Sequence, residues 1–282
     1  MSEFADRWML QRFGGAGQQG FYQIAYQFAA VSLIATTSIL NVFWKEIAEA
    51  HVRGDSEQVA LLYYRVNRGL VMIGAILSGF IIPWTKEIVT VFLGQAYLSA
   101  VPVLMVMFMY PIHQSMGQIG GTMLLASGNT RAYMMLSGTI MLISIPFSYL
   151  IQAPPNYQPI PGFGLGATGM GFKMVVVNII SVNVMAFIIS RLFKWKYDWI
   201  FQVVGIVAVV GAGYIAKIPT NLIWHEIDAT DKSSLIAPLV LTGAFYICLV
   251  LALLWTMPWL AGLHKSFFSN YFGKLKIFLQ GL

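Results

Sequence analysis

The sequence predicts an all-α protein, a polytopic membrane helix bundle of about seven transmembrane helices. Hydrophobic residues make up 58% of the 282 and charged residues only 10%, and the mean hydropathy is +0.71, outside the balance of soluble domains. The apolar residues fall in runs close to the ~20 residues that a helix needs to cross hydrocarbon. Short connections join these runs.

The first run, Gly20 to Trp44, follows the charged, amphipathic stretch DRWMLQRFGGAGQQG, whose glycines read as a turn. This opening lacks the basic region, short apolar core and small-residue cleavage site of a signal peptide. The second run, Arg68 to Trp84, is short, but the amphipathic segment Ser56 to Asn67 extends it, with Arg65 and Arg68 reaching toward the interface. Val101 to Ala126, Ala132 to Ile151, Gly164 to Ser190, Trp199 to Ala216 and Leu235 to Met257 complete the set. The last contains the one cysteine, Cys248, which excludes an intrachain disulfide and a cysteine-based metal cluster.

Charge sets the orientation. If the first run crosses from outside to inside, the inner segments 45–68, 127–131, 191–198 and 258–282 carry 11 Lys or Arg residues and the outer segments carry five. The positive-inside rule selects that arrangement. It places the N-terminus outside and the KSFFSNYFGKLK tail in the cytoplasm. An outer N-terminus bearing Arg7 and Arg12 leads to the expectation of a further helix upstream, with residues 1–19 as an outer amphipathic segment following it.

Several function classes are excluded on residue chemistry. The formal charge of +6 does not point to nucleic acid, because the basic residues punctuate apolar runs instead of clustering on a soluble face. His51, His113, His225 and His264 are scattered, and no His/Glu pair has metal-binding helix spacing. No metal, cofactor or catalytic constellation is expected. The GFGLGATG match to a dinucleotide fingerprint opens an apolar run, without the strand-turn-helix context that the chemistry requires. All 11 acidic residues fall in connections or at the edges of runs, so no intramembrane carboxylate is expected.

Two polar seams remain. In the first run Gln23, Gln27, Thr37, Ser38 and Asn41 recur at three-and-four spacing, and in the third Gln114, Gly117, Gln118 and Gly121 share a helical face after Pro111. Each suits either a hydrated cavity or interhelical hydrogen bonding and close packing. His113 reads as a satisfied buried histidine before it reads as a functional one.

Asp6 and the basic turn after it, GFYQIAY (Gly20 to Tyr26), the Arg53-Gly54-Asp55 loop, FLGQAYLSAVPVL (Phe92 to Leu104), LLASGNTRAY (Leu124 to Tyr133) and GFGLGATGMG (Gly162 to Gly171) occur in that order. Together they resemble the second half of Wzx-type polysaccharide flippases of the multidrug/oligosaccharidyl-lipid/polysaccharide exporter superfamily. Trp44-Lys45-Glu46, where many relatives carry a proline, departs from the pattern. The resemblance implies a C-terminal lobe of a two-lobe flippase. Residues 20–190 would form its five-helix core, and residues 191–282 two additional helices with a basic cytoplasmic tail.

The expected function is therefore the flipping of a polyprenyl-pyrophosphate-linked oligosaccharide across the cell inner (cytoplasmic) membrane by alternating access. The expected partners are the lipid-linked glycan, membrane lipid and a separate N-terminal half-transporter. Lys173 lies inside the fifth run with no carboxylate in that run to compensate it, and Gly166 and Gly169 lie on nearly its face. It is expected either to meet a pyrophosphate or to snorkel to the outer headgroups. Substrate contacts are expected from Lys173, Arg7, Arg12, Gln23, Gln27, Gln114 and Gln118. A membrane-embedded glycan polymerase or ligase is the alternative, resting on His225, Glu226, Asp228 and Asp231 in the outer loop after Lys217; a nonfunctional fragment is a third reading.

Overall fold

The computed structural model describes residues 2–224 and 234–263; the side chains of residues 2, 32–44 and 51 lie outside that description. Thr37, Ser38 and Asn41 of the first polar seam fall among those side chains.

Helix α1, Ser2–Val52, is broken at Gly15 (φ 77°, ψ 176°), a backbone region that only glycine occupies without strain. The chain reverses there. The Arg7 guanidinium lies 5.4 Å from the centroid of the Tyr26 ring, whereas the nineteen residue steps from one to the other would span about 28 Å of straight helix. Leu10 and Tyr22, on opposite arms of this hairpin, share one apolar core. Residues 2–14 form a helical arm folded back into the bundle, with Asp6 and Leu10 buried. The cause is local, because a Gly-only turn lets Leu10 enter the apolar core and brings the Asp6 carboxylate against polar partners on two other helices.

Helix α2, Ser56–Ile81, begins where the Asp55 carboxylate accepts a hydrogen bond from the Gln58 amide at 3.0 Å, an N-cap that satisfies one otherwise orphaned donor. It extends the short second run as the amphipathic segment before it predicts. Pro83 then imposes a 3₁₀ turn before α3, Thr85–Leu93. Helices α4, Val101–Met107, and α5, Tyr110–Ala126, meet at a break where the Gln95–Met107 and Tyr110–Ala126 segments are bent by 41°. Pro111 cannot donate to the preceding turn, and the carbonyls near the break find other donors: Ser78 Oγ bonds Phe108 O at 2.5 Å, and Asn178 Nδ2 approaches Tyr110 O at 3.4 Å.

Helices α6 (Thr130–Gln152), α7 (Gly166–Leu192), α8 (Ile200–Ile223) and α9 (Ile236–Thr256) complete an all-α bundle. Among the described residues, five helices are long and apolar enough to cross a membrane, and a sixth if α4 and α5 count as one span. Burial separates their roles. In the most apolar window of the α2–α3 segment 56% of residues are buried, against 22% in α6 and α9, so α2 is central and the other two are peripheral, with apolar faces suited to lipid. Cys248 is exposed on α9.

Small residues set the closest crossings, as expected where helices pack without a hydrophobic driving force. A Cβ at Gly213 of α8 would fall onto the Gly79 carbonyl of α2. On α5, a Cβ at Gly117 would lie 3.0 Å from Val182 and one at Gly120 2.6 Å from Met185, both on α7, while Gly121 faces Tyr133 of α6. The glycines of the third-run seam therefore serve helix packing, and the cavity reading does not hold for them.

Candidate functional site: a buried ion pair

The α6–α7 connection, 153–165, lies beside the Gly15 turn. Gln18 of α1 accepts a hydrogen bond from the Ala167 amide at 2.8 Å and so caps α7. Gly166 (φ 57°) leaves room for that cap, since a Cβ there would come within 2.6 Å of Gln18 Oε1. Gln152 Nε2 donates to the Gly166 carbonyl at 2.9 Å, and the rings of Phe13, Tyr149 and Tyr157 meet edge to face above them.

Below this polar lid, two turns into α7, Lys173 Nζ contacts Asp6 Oδ2 at 2.7 Å. The Ser148 hydroxyl on α6 donates to the other carboxylate oxygen, Oδ1, at 2.5 Å. The side chains of Lys173 and Asp6 are 3% and 7% exposed, and Ser148 is fully buried. Three helical segments thus supply one cation, one carboxylate and one hydroxyl to a buried site. Tyr22 lies nearby, its hydroxyl 2.8 Å from the Met174 sulfur.

This geometry corrects two expectations. Asp6 is a carboxylate buried within the bundle, whereas the sequence places every acidic residue in a connection or at the edge of an apolar run. Lys173 neither snorkels outward nor stands unpaired. No space is left beside Gly169, since a Cβ there would meet Ile151 of α6 at 2.8 Å. The missed partner was legible in part: Ser144, Ser148 and Gln152 form an i, i+4 stripe on α6, and all three are buried.

The other candidate ligands are dispersed. Arg7, half-buried on the same arm as Asp6, stacks on Tyr26, and Arg12 is exposed near the turn. Gln23 is half-buried and Gln27 exposed on the second arm of α1, while Gln114 and Gln118 are half-buried on α5. Of the alternative enzymatic set, His225, Glu226, Asp228 and Asp231 lie outside the described residues.

A second polar group links α5, α7 and α8. His113 Nε2 lies 3.1 Å from Gln202 Oε1, Gln202 Nε2 donates to Asn183 Oδ1 at 3.1 Å, and the Tyr197 hydroxyl donates to the same oxygen at 2.8 Å. His113 is 4% exposed and is a satisfied buried histidine, as its isolation in the sequence suggests. Among the described residues, no group of three or more His, Cys, Asp or Glu side chains is placed to hold a metal ion.

Fold and site define a multi-pass α-helical membrane protein with a buried ion pair inside its bundle. Comparison with family models, with curated proteins and with solved structures gave no match.

Proposed function

We propose that the chain forms one lobe of a flippase of the cytoplasmic membrane that moves polyprenyl-pyrophosphate-linked oligosaccharide between leaflets. The observation that carries this reading is the buried Lys173–Asp6 pair. Charges inside membrane helices are costly and characteristically mark transport pathways. Lys173 exchanges its Asp6 partner for the substrate pyrophosphate as the lobe moves, so the cation is compensated in both states. Gln27 adds support: it is exposed about 18 Å of helix beyond the Gly15 turn, at a depth where a bare amide in lipid is unfavourable and a hydrated path between lobes would solvate it. The polyprenyl tail stays in hydrocarbon while the charged headgroup follows the polar route.

The test is leaflet transfer of a labelled polyprenyl-pyrophosphate oligosaccharide in vesicles carrying the full chain, with and without a complementary lobe. Transfer without covalent change is expected from the wild type with its complement. Asp6→Asn combined with Lys173→Met, which removes both charges, should retain the fold and lose transfer. Undiminished transfer by that double variant, or none by the wild type in either setting, refutes the proposal. Lengthening of the glycan would favour the polymerase or ligase reading.

A further inference from the structure

The end of the bundle opposite the Gly15 turn carries a cleft of three adjoining parts that the ion pair does not explain. One part, about 570 Å³, lies between α2 and the Pro258–Ala261 turn that follows α9, lined by Leu61, Tyr64, Arg65, Arg68, Thr256 and Trp259, among others. A second part, about 470 Å³, shares Tyr64 and Arg68 with it and adds Trp195, Lys196, Tyr197 and Asp198. A third, about 420 Å³, shares Trp195 and Tyr197 and adds Arg191 and Lys194.

The walls are built, not incidental. The Arg68 guanidinium donates through Nε and Nη2 to Asp198 Oδ2 and through Nη1 to the Trp259 carbonyl at 2.8 Å, and it lies over the rings of Phe201 and Trp259. The Tyr64 hydroxyl donates to the Lys196 carbonyl, Trp195 stacks on Phe193 at 4.8 Å, and Gly262 rests against the α2 backbone at Arg65. Arg68 is therefore committed to holding α2, the α7–α8 connection and the post-α9 turn together.

Five cations line the cleft: Arg65, Arg68, Arg191, Lys194 and Lys196. Asp198 is the one carboxylate among the lining residues and is already bonded to Arg68. Arg65, Lys194 and Lys196 are exposed at the mouth. The surrounding surface is apolar and open: Leu61 is 48% exposed, Leu192 46%, Trp199 50%, Ile200 55% and Trp259 38%. Cations ringed by tryptophan and tyrosine, with bare aliphatic side chains alongside, match the profile of a membrane interface. Headgroup phosphates lie level with the charges there and acyl chains level with the apolar residues.

We propose that this cleft binds the headgroup of an anionic phospholipid, with Arg65 and Lys196 pairing the phosphate and Tyr64, Trp195 and Trp259 flanking the glycerol and upper acyl region. Guanidinium and ammonium donors recognise phosphate oxygens through charge-assisted hydrogen bonds. A soluble anion would use the charges alone and leave the aromatic and aliphatic margin unsatisfied; a phospholipid uses both. The positive-inside rule puts this end of the bundle at the cytoplasmic leaflet. The site does not depend on transport by the ion pair.

Native mass spectrometry of the full chain, released from detergent micelles supplemented with phosphatidylglycerol or phosphatidylcholine, tests this directly. Retention of phosphatidylglycerol in clear excess over phosphatidylcholine is expected. Arg65→Gln with Lys196→Gln should weaken that retention about tenfold, whereas Lys86→Gln, an exposed cation at the other end, should leave it unchanged. Inorganic phosphate at millimolar concentration should not displace the lipid. Equal retention of the two lipids, retention unaffected by the cleft substitutions, or displacement by inorganic phosphate would each overturn the proposal, the last by showing a soluble-anion site. Circular dichroism of the double variant checks that any loss reflects the site and not the fold, both side chains being exposed.

Discussion

Lys173 and Asp6 show how strongly one residue pair is conditioned by its surroundings. Removing one partner of a buried pair leaves the other charge uncompensated, at a cost of about 3–5 kcal/mol, while replacing both with neutral side chains of similar volume is often close to neutral. Lys173→Ala should therefore lower stability by about that amount in a reversible unfolding titration. Asp6→Asn with Lys173→Met should recover most of it. If the single and double variants unfold alike, the two side chains do not interact as described. The Asn183 amide makes a second test at this scale, because it bonds both Gln202 and Tyr197. Asn183→Leu takes a partner from the buried Gln202 amide and from the half-buried Tyr197 hydroxyl, at about 1–3 kcal/mol for each buried group left unpaired. A loss near 2 kcal/mol is expected, and an unchanged denaturation midpoint would mean that the network is dispensable. Lys173 stood out in the sequence because a lysine inside an apolar run is rare. Its partner did not, since Asp6 is 167 residues away and became adjacent only through a turn.

That turn belongs to the scale of elements. Gly15 sits at φ 77°, ψ 176°, where any side chain costs about 1–3 kcal/mol, and no neighbouring atom comes within 4 Å of a Cβ placed there. A substitution is thus opposed by backbone strain alone. Gly15→Val should loosen the 2–14 arm and shorten its protection from hydrogen exchange, with residues 56–81 unaffected; equal protection in wild type and variant would deny the turn its role. At the α2·α8 crossing the opposition is steric, because a side chain at Gly213 meets the Gly79 backbone. Gly213→Leu should destabilise by about 3 kcal/mol through overpacking, and a variant as stable as wild type would show that α8 can shift away freely. Helical periodicity was legible locally, whereas the Asp55 cap and the breaks at Pro83 and Pro111 emerged from the structure. Which glycines packed against which helices was not legible, because the same small-residue spacing suits both a cavity wall and a tight crossing.

At the scale of the whole molecule, the arrangement has two chemically distinct ends. Arg65, Arg68, Arg131, Arg191, Lys194 and Lys196 gather at one, and the Gly15 turn, the 153–165 connection and the Lys217–Glu87 pair (2.7 Å) lie at the other. Reporter fusions at Gly54 and Lys194 should read cytoplasmic and one near Pro155 external; the reverse set would invert the orientation. Composition and the spacing of apolar runs were sufficient for the all-α membrane class, because crossing hydrocarbon demands internally satisfied backbone over about 20 residues whatever the neighbours are. The approximate extents of the spans followed from the same apolar runs, while the exact helix starts and bends came with the structure. Tertiary structure alone decided that residues 2–14 fold back into the bundle, that Asp6 and Ser148 surround Lys173, and that Arg68 ties three chain segments into one cleft. Each of those depends on pairing between groups far apart in sequence, and such pairing is selected by the energy of leaving a buried charge or amide unpaired, a quantity set by the assembled fold and not by any local stretch of chain.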